Sequence, residues 1–336
     1  MKAYQIIAAT GAEALSLNQL AEPKPAPGQV LVRVRATSLN YRDLMVASGR
    51  YGAGVPLPLI PLSDGAGEIV ALGEGVTRWS AGDRVAGTFF QNWLTGPVRR
   101  EAFDSALGGS INGMLAEYVA LSADGVIAIP PHLDFVEAAT LPCAALTAWH
   151  ALVTSGNVSA GQTVLLLGTG GVSVFALQFA KMHGARVIII SSSDAKLARA
   201  KALGADEIIN YRTSPDWEKE VFRLTEKSGA DHVIEVGGAD TFPRSLRAVA
   251  MGGTISVIGG VSGFTTEVAL RDILGKSALI RGIFVGSREM FAAMNRAISQ
   301  HKLKPVVDRV FPFSEAPAAY RHQESGAHLG KVVVTV

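Results

Sequence analysis

The sequence predicts an α/β protein in which a doubly wound parallel sheet is joined to an antiparallel β domain. Three observations lead to this prediction. Short β-rich runs, divided by Gly and Pro, occupy residues 1 to about 125. Apolar strands alternate with amphipathic helices from about residue 145 to residue 287. The last segment, GKVVVTV, reads as one more strand that could rejoin the first domain, so that both chain ends would build the β domain.

The first domain is predicted from an edge strand at the chain start and four further strand candidates. Each candidate is a run of β-branched and apolar residues bounded by glycine or by a turn, which is typical of antiparallel sheets. The edge strand lies in MKAYQII. The other four lie in GQVLVRVRATSLN, GAGEIVALGEGV, GDRVAGTFF and GMLAEYVAL.

The second domain is predicted from six apolar strands, which are TVLLL, RVIII, EIIN, HVIEV, TISVI and LIRGIFV. They lack period-two alternation, as expected for strands that are buried on both faces of a parallel sheet. Asp194 is expected to cap the helix after the second strand, and Gly204 is expected to follow the end of that helix. Ser214 and Pro215 are expected to begin the next helix. Six strands with crossover helices make a doubly wound sheet.

The composition excludes several classes of protein. The 336 residues are 48% hydrophobic and 18% charged, which suits two ordinary domains with full cores and is too apolar for a disordered chain. A formal net charge of +2 is too small to indicate a nucleic-acid or anionic-membrane partner. No apolar run approaches the roughly 18 residues of a membrane helix, and the start is too brief for a secretory signal. We therefore expect a cytoplasmic protein that acts on a small-molecule substrate.

The stretch LLLGTGGVS is typical of a dinucleotide site. It places Gly168 and Gly170 directly after the first buried strand and in front of a helix that begins with Gly171 and Val172. The first glycine would permit the tight turn, the second would let the backbone approach a pyrophosphate, and the N–H groups of the helix start would bind the phosphates. The third motif position holds Ser173, a small residue that departs mildly from Gly or Ala. The alternative is a purely structural turn, since glycine turns are common in α/β proteins.

Three serines, Ser191 to Ser193, fill the end of the second strand, where an NAD site usually has a carboxylate for the ribose 2′-OH. Hydroxyl groups do not repel a 2′-phosphate. Lys196 on the next helix could supply positive charge, and Arg199 is a weaker candidate. Ser192 and Lys196 are therefore predicted to bind NADP, with NAD as the other possibility. The alternative for both basic residues is a solvated helix face.

Six stretches occur in a fixed order along the chain, and together they resemble one family. They are PGQVLVRVRATSLNYRDL, GAGEIVALGEGVTRWSAGDRV, TLPCAALTAWHAL, LLLGTGGVS, LGADEIINY and GKVVVTV. The chain in this way resembles the medium-chain dehydrogenase/reductase superfamily over essentially its whole length. The resemblance implies a GroES-like catalytic domain formed by residues 1–127 and 288–336, and a Rossmann domain formed by residues 128–287. It also implies a homodimer joined through the Rossmann sheets.

Zinc-dependent members of that superfamily hold a catalytic zinc with a Cys, a His and a second Cys or Asp. The matching positions here look like Asn40, the pair Ser63 and Asp64, and Cys143, which is the only cysteine in the chain. One thiol with an amide and a hydroxyl does not meet the need of zinc for three suitable ligands. Residues 91–113 also lack the cysteines of a structural zinc lobe. We therefore expect no metal, and the chain resembles the zinc-free quinone oxidoreductase branch.

The resemblance also implies the residues of the site. Asn40 and Tyr51 are the candidate catalytic residues, because a side-chain amide or O–H could stabilise a developing oxyanion. The alternatives are a turn-capping amide and a packing aromatic side chain. A long loop, residues 89–113, is expected to shape the acceptor pocket, or else to pack on its own four aromatic side chains. Further cofactor contacts are expected from Thr147, Tyr211, Gly259, Gly260, Phe284, Val285, Gly286 and Lys331.

Three hypotheses about function follow. The first is an NADPH-dependent, zinc-free oxidoreductase that reduces quinones or α,β-unsaturated carbonyls, which are reactive enough to accept hydride without a metal. The second is an alcohol or aldehyde oxidoreductase that uses NAD(P). The third, from a different class, is a nucleotide-binding protein with little catalysis, similar to the crystallin relatives in the superfamily. Turnover of different acceptors, with and without metal, distinguishes the three.

Overall fold

The computed structural model describes residues 1–52 and 54–336. The described residues form two compact units, one of residues 1–146 with 285–336 and one of residues 147–284. The first unit takes in both chain ends, and the second is one continuous segment. The domain limits expected from the sequence, after residues 127 and 287, stay a prediction, whereas the compact units divide after residues 146 and 284.

The strands of the described residues form a two-stranded, a seven-stranded and a six-stranded sheet. In chain order they are β1 (Lys2–Ile6), β2 (Leu15–Gln19), β3 (Gln29–Ser38), β4 (Asp64–Leu72), β5 (Arg84–Gly87), β6 (Tyr118–Ser122), β7 (Val126–Ala128), β8 (Thr163–Leu167), β9 (Arg186–Ser191), β10 (Glu207–Asn210), β11 (Ala230–Glu235), β12 (Val249–Val257), β13 (Leu279–Gly282), β14 (Val307–Pro312) and β15 (Lys331–Thr335).

The helices are short in the first half of the chain and longer between the strands of the second half. None of the described helices is long and apolar enough to cross a bilayer. In chain order they are α1 (Tyr41–Ala47), α2 (Arg100–Phe103), α3 (Phe135–Ala138), α4 (Leu146–Trp149), α5 (Gly171–Met182), α6 (Asp194–Ala202), α7 (Trp217–Leu224), α8 (Phe242–Ala248), α9 (Leu270–Lys276), α10 (Arg288–His301) and α11 (Ala316–Glu324), with π-helical segments at Leu141–Ala145 and His150–Thr154.

The first unit is built on the seven-stranded sheet. Its order is β14-β15-β3-β4-β5-β7, and β6 also pairs with β3. The tail strand β15 runs antiparallel to β3, with Val334 opposite Thr37, so the expectation that GKVVVTV rejoins the first domain is confirmed. Buried side chains from both chain ends, including Ile6 and Tyr320, share one core. Their burial, worth roughly 1.5–3 kcal/mol for each large apolar side chain, holds the two ends together.

The register of three strands brings several polar residues to one end of this sheet. Ser38, the last residue of β3, lies opposite Asp64 on β4 and opposite Val333 on β15. Helix α1 follows β3 closely, with Asn40 directly before its first residue. The starts of α1, β4 and β15 are therefore neighbours, although Asn40 and Lys331 are 291 residues apart in the sequence.

The second unit contains six parallel strands in the order β10-β9-β8-β11-β12-β13. The predicted doubly wound Rossmann sheet is thereby confirmed. Strands β8 and β9 are buried along almost their whole length, which explains why their sequences do not alternate. The chain moves from β8 outward to β10 and then returns to β11 on the other side of β8. Ligands of such sheets bind beyond the carboxyl ends of the strands at this reversal.

Two of the predicted helix starts are wrong by one or two residues. Helix α6 is capped by Ser193, and Asp194 is its first residue. Helix α7 follows Asp216 instead of Ser214. Ser and Asp are both good capping residues, so neighbouring candidates cannot be ranked from sequence alone. Gly204 follows α6 with a φ of 106°, as predicted for a glycine after a helix end.

Candidate functional site

The turn between β8 and α5 has the geometry expected of a pyrophosphate site. Gly168 has a φ of 73°, which lies in the left-handed region that glycine adopts without strain. Gly170 stands directly before α5, and space is open where a Cβ would lie at either glycine. Gly170 has no side chain to cap the helix, so the first N–H groups, beginning with Gly171 and Val172, can bind an anion. These residues fit a dinucleotide pyrophosphate.

Ser173 explains the departure from the glycine motif. Its side chain is buried, and its Oγ donates a hydrogen bond to the backbone oxygen of Leu167 at 2.7 Å. The third motif position normally needs a small residue so that the helix can pack closely on the strand. Serine is small enough, and its hydrogen bond ties the start of α5 to the end of β8.

The residues predicted to favour NADP over NAD lie at the carboxyl end of β9 and just after it. Ser191 ends the strand and is buried, and Ser192 after it is half-buried. Asn210 lies opposite Ser191 on β10, and its Nδ2 donates to Asp194 Oδ1 at 2.6 Å. The backbone N–H of Tyr211 donates to the Ser191 oxygen at 3.1 Å. The structure thus brings Ser192 and Tyr211 to one sheet edge. The role of Asn210 in holding Asp194 had no signal in the sequence.

Gly259 and Gly260 follow β12 in a closely packed loop. A Cβ on Gly259 would come within 2.8 Å of the Val236 backbone oxygen. A Cβ on Gly260 would come within 2.6 Å of the Phe264 ring. The contact with the Val236 backbone requires glycine at position 259, whereas the exposed Phe264 ring could move away from a side chain at position 260. Packing therefore explains Gly259, and the predicted contact of both residues with nicotinamide stays a prediction.

Glu235, the last residue of β11, was missed by the sequence reasoning. Its carboxylate is fully buried, and Oε1 accepts hydrogen bonds from the backbone N–H groups of Gly237 and Gly238 and from Thr241 Oγ1. Oε2 accepts from Ser245 Oγ at 2.5 Å. The carboxylate therefore fixes the loop from β11 into α8. The signal that could have revealed it is an acidic residue at the end of a buried strand, directly before a Val and two glycines.

Four other predicted cofactor residues are next to the chain positions 146/147 and 284/285, at which one compact unit ends and the other begins. Thr147 is buried, and Phe284 is 53% exposed. Val285 has a φ of 23°. A Cβ on Gly286 would lie 2.8 Å from Leu146 Cγ, so glycine is required there for packing. The part that these four residues play in cofactor binding stays a prediction.

A buried polar cluster, which we name the Asn40 cluster, lies where α1, β4 and β15 begin. Its members are Asn40, Asp64 and Lys331, with Ser63 and Cys143 beside them. The Lys331 ammonium donates to Asn40 Oδ1 and to the Leu39 backbone oxygen, both at 2.5 Å, and lies 3.9 Å from Asp64 Oδ2. Ser63 Oγ donates to Asp64 Oδ1 at 2.7 Å, and the Cys143 N–H donates to Asp64 Oδ2 at 3.2 Å.

The two ends of the Asn40 amide have different surroundings. Asn40 is 8% exposed, and its Oδ1 accepts from Lys331. Its Nδ2 is buried and has no acceptor within hydrogen-bonding geometry among the described residues, although the amide lies near enough to Asp64 to favour the charged carboxylate. Its backbone N–H donates to Asp43 Oδ2 at 2.7 Å. The Asn40 side chain also forms a capping box with Asp43 at the start of α1, which favours the turn-capping alternative. Its N–H₂ group lies buried near Asp64 without a partner in good hydrogen-bonding geometry in the described part of the chain.

Burial raises the pKa of the acidic groups around this cluster. For Asp43, burial raises the pKa to about 6 against the opposing charge of Arg42. For Asp64, burial raises the pKa and the nearby Lys331 ammonium opposes it. For the Cys143 thiol, burial raises the pKa, and the Asp64 carboxylate raises it further. The thiol is thus neutral near pH 7 and is a poor nucleophile.

The structure places Tyr51 against Arg42. The Arg42 guanidinium carbon lies 4.9 Å from the Tyr51 ring centroid and 4.5 Å from that of Phe89, and Nη1 donates to the Leu107 oxygen at 2.7 Å. These contacts favour the alternative in which Tyr51 is a packing aromatic. The catalytic role of Tyr51 stays a prediction. No feature of the sequence indicated that Arg42 stacks on Tyr51 and Phe89.

The loop of residues 89–113 packs largely on its own aromatic side chains. The Phe90 ring centroid lies 4.6 Å from that of Phe89, 5.9 Å from that of Trp93 and 5.3 Å from that of Phe103. This packing favours the second of the two interpretations of the loop. The loop also borders a cavity of about 520 Å³ in the first unit, but none of the predicted site residues lines it.

Comparisons with known proteins agree with this geometry. Residues 26–131 match the family model of the alcohol dehydrogenase GroES-like domain, and residues 171–300 match that of the zinc-binding dehydrogenases. A zinc-type alcohol dehydrogenase-like protein of Schizosaccharomyces pombe is 48% identical over 316 residues, which cover 92% of this chain and 91% of the relative. The chain belongs to the medium-chain dehydrogenase/reductase superfamily.

Two further proteins are similar to this chain over nearly its whole length. The solved structure of an NAD-dependent alcohol dehydrogenase matches with a TM-score of 0.91 at 38% identity and covers 100% of both chains. The quinone oxidoreductase of Homo sapiens is 29% identical over 344 aligned positions, which cover 99% of this chain and 97% of the relative. The predicted GroES-like and Rossmann architecture is thereby confirmed, and the protein is an oxidoreductase from a superfamily whose members bind NAD(P).

Proposed function

We propose that the protein is an NADPH-dependent oxidoreductase that works without zinc and transfers hydride to quinones or α,β-unsaturated carbonyls. The observation that carries this proposal is the position of Lys331. Its ammonium donates to Asn40 Oδ1 and lies 3.9 Å from Asp64 Oδ2. Asn40 and Asp64 stand at positions that resemble metal-ligand positions of the zinc-dependent members. This arrangement supports a cation of the protein itself in place of a metal ion.

The chemistry of the donor atoms supports the same proposal. Zinc binds thiolates, imidazoles and carboxylates, but Asn40 offers an amide and Ser63 a hydroxyl, so too few suitable donors stand at the matching positions. Among residues 1–52 and 54–336, no three His, Cys, Asp or Glu side chains are grouped so that they could hold a metal ion. These residues do not fit a catalytic zinc, and no step proposed below uses one.

Without a metal, the protein must stabilise the charge that develops on the acceptor oxygen. A bound nicotinamide would supply a hydride to the acceptor. With an enone, the hydride adds to the β-carbon and the electron pair of the C=C bond moves to the carbonyl oxygen, giving an enolate that then takes a proton from solvent. With a quinone, the hydride is delivered to one oxygen and the electron pair moves through the ring to the opposite oxygen, giving a hydroquinone anion that takes a proton there. Asn40 Nδ2 is proposed to donate a hydrogen bond to the oxygen that becomes negative, with Tyr51 as a second candidate donor.

The proposed cofactor is NADPH. The turn around Gly168 and Gly170 would hold the pyrophosphate, as argued above. Ser192 and Lys196 would lie beside the 2′-phosphate, and Tyr211 beside the adenine ribose. Supporting this choice, the one nearby carboxylate on α6, Asp194, accepts a hydrogen bond from Asn210 at 2.6 Å and is held at the helix start instead of the strand end. The remaining proposed contacts are those of Gly171, Val172, Thr147, Gly259, Gly260, Phe284, Val285 and Gly286.

Substitution Ser192→Asp is expected to reverse part of the cofactor preference. A carboxylate near a 2′-phosphate at a partly exposed site costs enough Coulomb energy to weaken NADPH at least about tenfold, while NADH gains an acceptor for its 2′-OH. The measurement is the ratio of kcat/KM for NADPH and NADH. Ser193→Asp is the matched control, because it adds the same charge one residue further on and keeps a good cap for α6. An equal change in both variants would contradict the assignment of Ser192.

The test of the proposed function is consumption of NADPH by chelator-treated protein. Quinones, enones and simple aldehydes are compared as acceptors, with NADH as the cofactor control. Turnover of quinones or enones with NADPH alone supports the proposal. Turnover of aldehydes alone, or only after zinc is restored, overturns it. Tight NADPH binding without turnover of any acceptor would instead support the binding protein of the third hypothesis.

A second candidate function is that of an NAD(P)-dependent alcohol or aldehyde oxidoreductase. It is favoured by the 48% identical relative, which is named a zinc-type alcohol dehydrogenase-like protein, and by the similar solved structure of an NAD-dependent alcohol dehydrogenase. The same assay distinguishes this candidate, since it predicts oxidation of alcohols with NAD or NADP and little turnover of quinones.

A homodimer joined through the Rossmann sheets is proposed as the assembly. Strand β13 is at one edge of the six-stranded sheet, and all four of its residues are exposed. The neighbouring helix α9 exposes Leu270 and Leu274 by 79% and 80%. An uncovered edge with large apolar side chains is a site for pairing with another chain. A second copy would bring an identical edge, as a two-fold dimer requires.

The dimer is tested by placing a charge in this face. We expect Leu274→Asp to convert the protein from the mass of two chains to the mass of one, measured by light scattering after gel filtration. Leu17→Asp, at a 47% exposed leucine of β2, is the matched control and should leave the mass unchanged. A wild-type protein with the mass of one chain would contradict the proposal directly.

A further inference from the structure

Lys331 is one of the most completely buried charged residues in the described chain, at 2% exposure. A buried ammonium has three N–H donors, and each of them needs a hydrogen-bond acceptor in the protein. Two of them go to the Leu39 backbone oxygen and to Asn40 Oδ1, both at 2.5 Å. Asp64, 3.9 Å away, balances the charge. The lysine is therefore held rigidly, and one of its two hydrogen bonds ends on a proposed catalytic side chain.

The hydrogen bond from Lys331 decides how the Asn40 amide is oriented. An ammonium has only donors, so it can be matched only by the amide oxygen and never by the amide nitrogen. With Oδ1 turned to the lysine, Nδ2 must point to the opposite side of the Cβ–Cγ bond, within the plane of the amide. The second anchor of this residue, its backbone N–H on Asp43 Oδ2 at 2.7 Å, keeps the backbone in place as well. The orientation of the amide is thus fixed by charge.

The Nδ2 group is buried and meets no acceptor in good hydrogen-bonding geometry in the part of the chain that the structure describes, although the Asp64 carboxylate lies near it. A buried donor without an acceptor destabilises a fold. The Asn40 side chain forms a capping box with Asp43 at the start of α1, but this motif uses the side-chain oxygen and does not engage Nδ2. A substrate oxygen would complete the set of hydrogen bonds. An oxygen that gains negative charge would accept the strongest hydrogen bond from Nδ2, because that bond becomes charge-assisted.

We propose that Lys331 is a positioning residue for the reaction: it holds the Asn40 amide by its oxygen, so that Nδ2 stays directed at the acceptor oxygen that becomes negative. This rests on the proposed function, in which Asn40 donates to that oxygen. The lysine also withdraws electrons from Oδ1, and donors in a hydrogen-bonded chain strengthen one another. This role differs from the direct cofactor contact expected for Lys331 from the sequence.

The test is a double-mutant cycle on Lys331 and Asn40 with the acceptor that the wild type reduces. Asn40→Ala is expected to lower kcat about 100-fold, within the range measured for loss of one oxyanion donor. Lys331→Met should lower kcat by a similar factor, and the double variant should be no slower than Asn40→Ala. Lys331→Arg, which can still donate to Oδ1, should recover most of kcat. The Kd for NADPH, measured by fluorescence, should stay within about twofold throughout.

Two outcomes would overturn the positioning role. If the two single losses multiply in the double variant, Lys331 acts independently of Asn40. If Lys331→Met raises the Kd for NADPH in step with the loss of activity, the lysine binds cofactor. Lys331→Met leaves Asp64 buried without its cation. The double variant Asp64→Asn with Lys331→Met, which removes both charges, is therefore measured as well, and its kcat and its Kd for NADPH are judged by the same two criteria.

A measurement without turnover separates this inference from the proposed function. The side-chain amide ¹⁵N signal of Asn40, assigned by its loss in Asn40→Ala, should shift in Lys331→Met and stay near its wild-type position in Lys331→Arg. If it does so while no quinone or enone is reduced, the contact is real and the proposed substrate class is wrong. If the signal does not respond to Lys331→Met, the orientation of the amide is not set by the lysine, and the inference is overturned.

Discussion

Gly170→Val is expected to weaken NADPH binding by at least about 100-fold, because a branched side chain at the second glycine occupies the space through which the pyrophosphate approaches the backbone. The residue has an ordinary φ of −75° and no atom within 4 Å of the position of a new Cβ. The Cβ of valine therefore has open space, and the loss should appear in binding with little change in folding. The measurement is the Kd for NADPH by fluorescence titration, with the thermal midpoint recorded in parallel.

Gly275→Val serves as the control for this substitution. Gly275 lies in α9, and a Cβ there also has no atom within 4 Å, so the same change in size is made away from the turn. It should leave the Kd unchanged. A Gly170→Val protein that binds NADPH within threefold of the wild type would show that the glycine turn is structural, which is the alternative that the motif alone left open.

The parts of the fold that the sequence predicted are those in which neighbouring residues determine the structure. The buried strands β8 and β9 can be predicted from their continuous apolar runs, because both faces of each strand are covered. The glycine turn follows at once, because a left-handed φ at Gly168 needs glycine. The tail strand was also predicted from its valine-rich run, and the family resemblance assigned it to the first domain.

The contacts that the sequence did not predict join residues that are distant along the chain. Lys331 was expected beside the cofactor, but its nearest partners are the Leu39 oxygen and Asn40, through a strand pairing between the last and the third strand. Asp194 was expected to cap a helix, and it accepts from Asn210, 16 residues away. No local pattern encodes either choice, because each depends on which side chain the fold brings within hydrogen-bonding distance.

The buried Asp43 should make the stability of the protein depend on pH in a direction opposite to that of most carboxylates. Burial raises its pKa from 3.8 to about 6, although the opposite charges of Arg42 and Lys331 and the Asn40 N–H favour the ionised form. Asp64 and Tyr320 face the same region, but both are acidic groups, so neither supplies a positive charge that would offset the effect of burial on Asp43. The folded state therefore binds the proton of Asp43 more tightly than the unfolded state does.

The sign of the effect follows from this difference in proton binding. Below pH 3.8 the carboxyl is protonated in both states, and its contribution to stability is greatest. As the pH rises through 6 that contribution is lost, since the folded state must then hold a buried charge. A difference of about two pKa units corresponds to roughly 3 kcal/mol of unfolding free energy. Asp43→Asn removes the titration and keeps an oxygen that can accept from the Asn40 N–H.

We therefore expect the unfolding free energy of Asp43→Asn, relative to the wild type, to rise by roughly 3 kcal/mol between about pH 4 and pH 7. The measurement is equilibrium denaturation in urea at several pH values. Asp240→Asn, at an exposed carboxylate, is the control and should show no such trend. A difference that stays constant with pH would mean that Asp43 is ionised in the folded state at all these pH values, held so by Arg42. Arg42 and Asp43 would then both be charged. Asn40 would be held between two permanent charges, with its backbone N–H on Asp43 and its Oδ1 on Lys331.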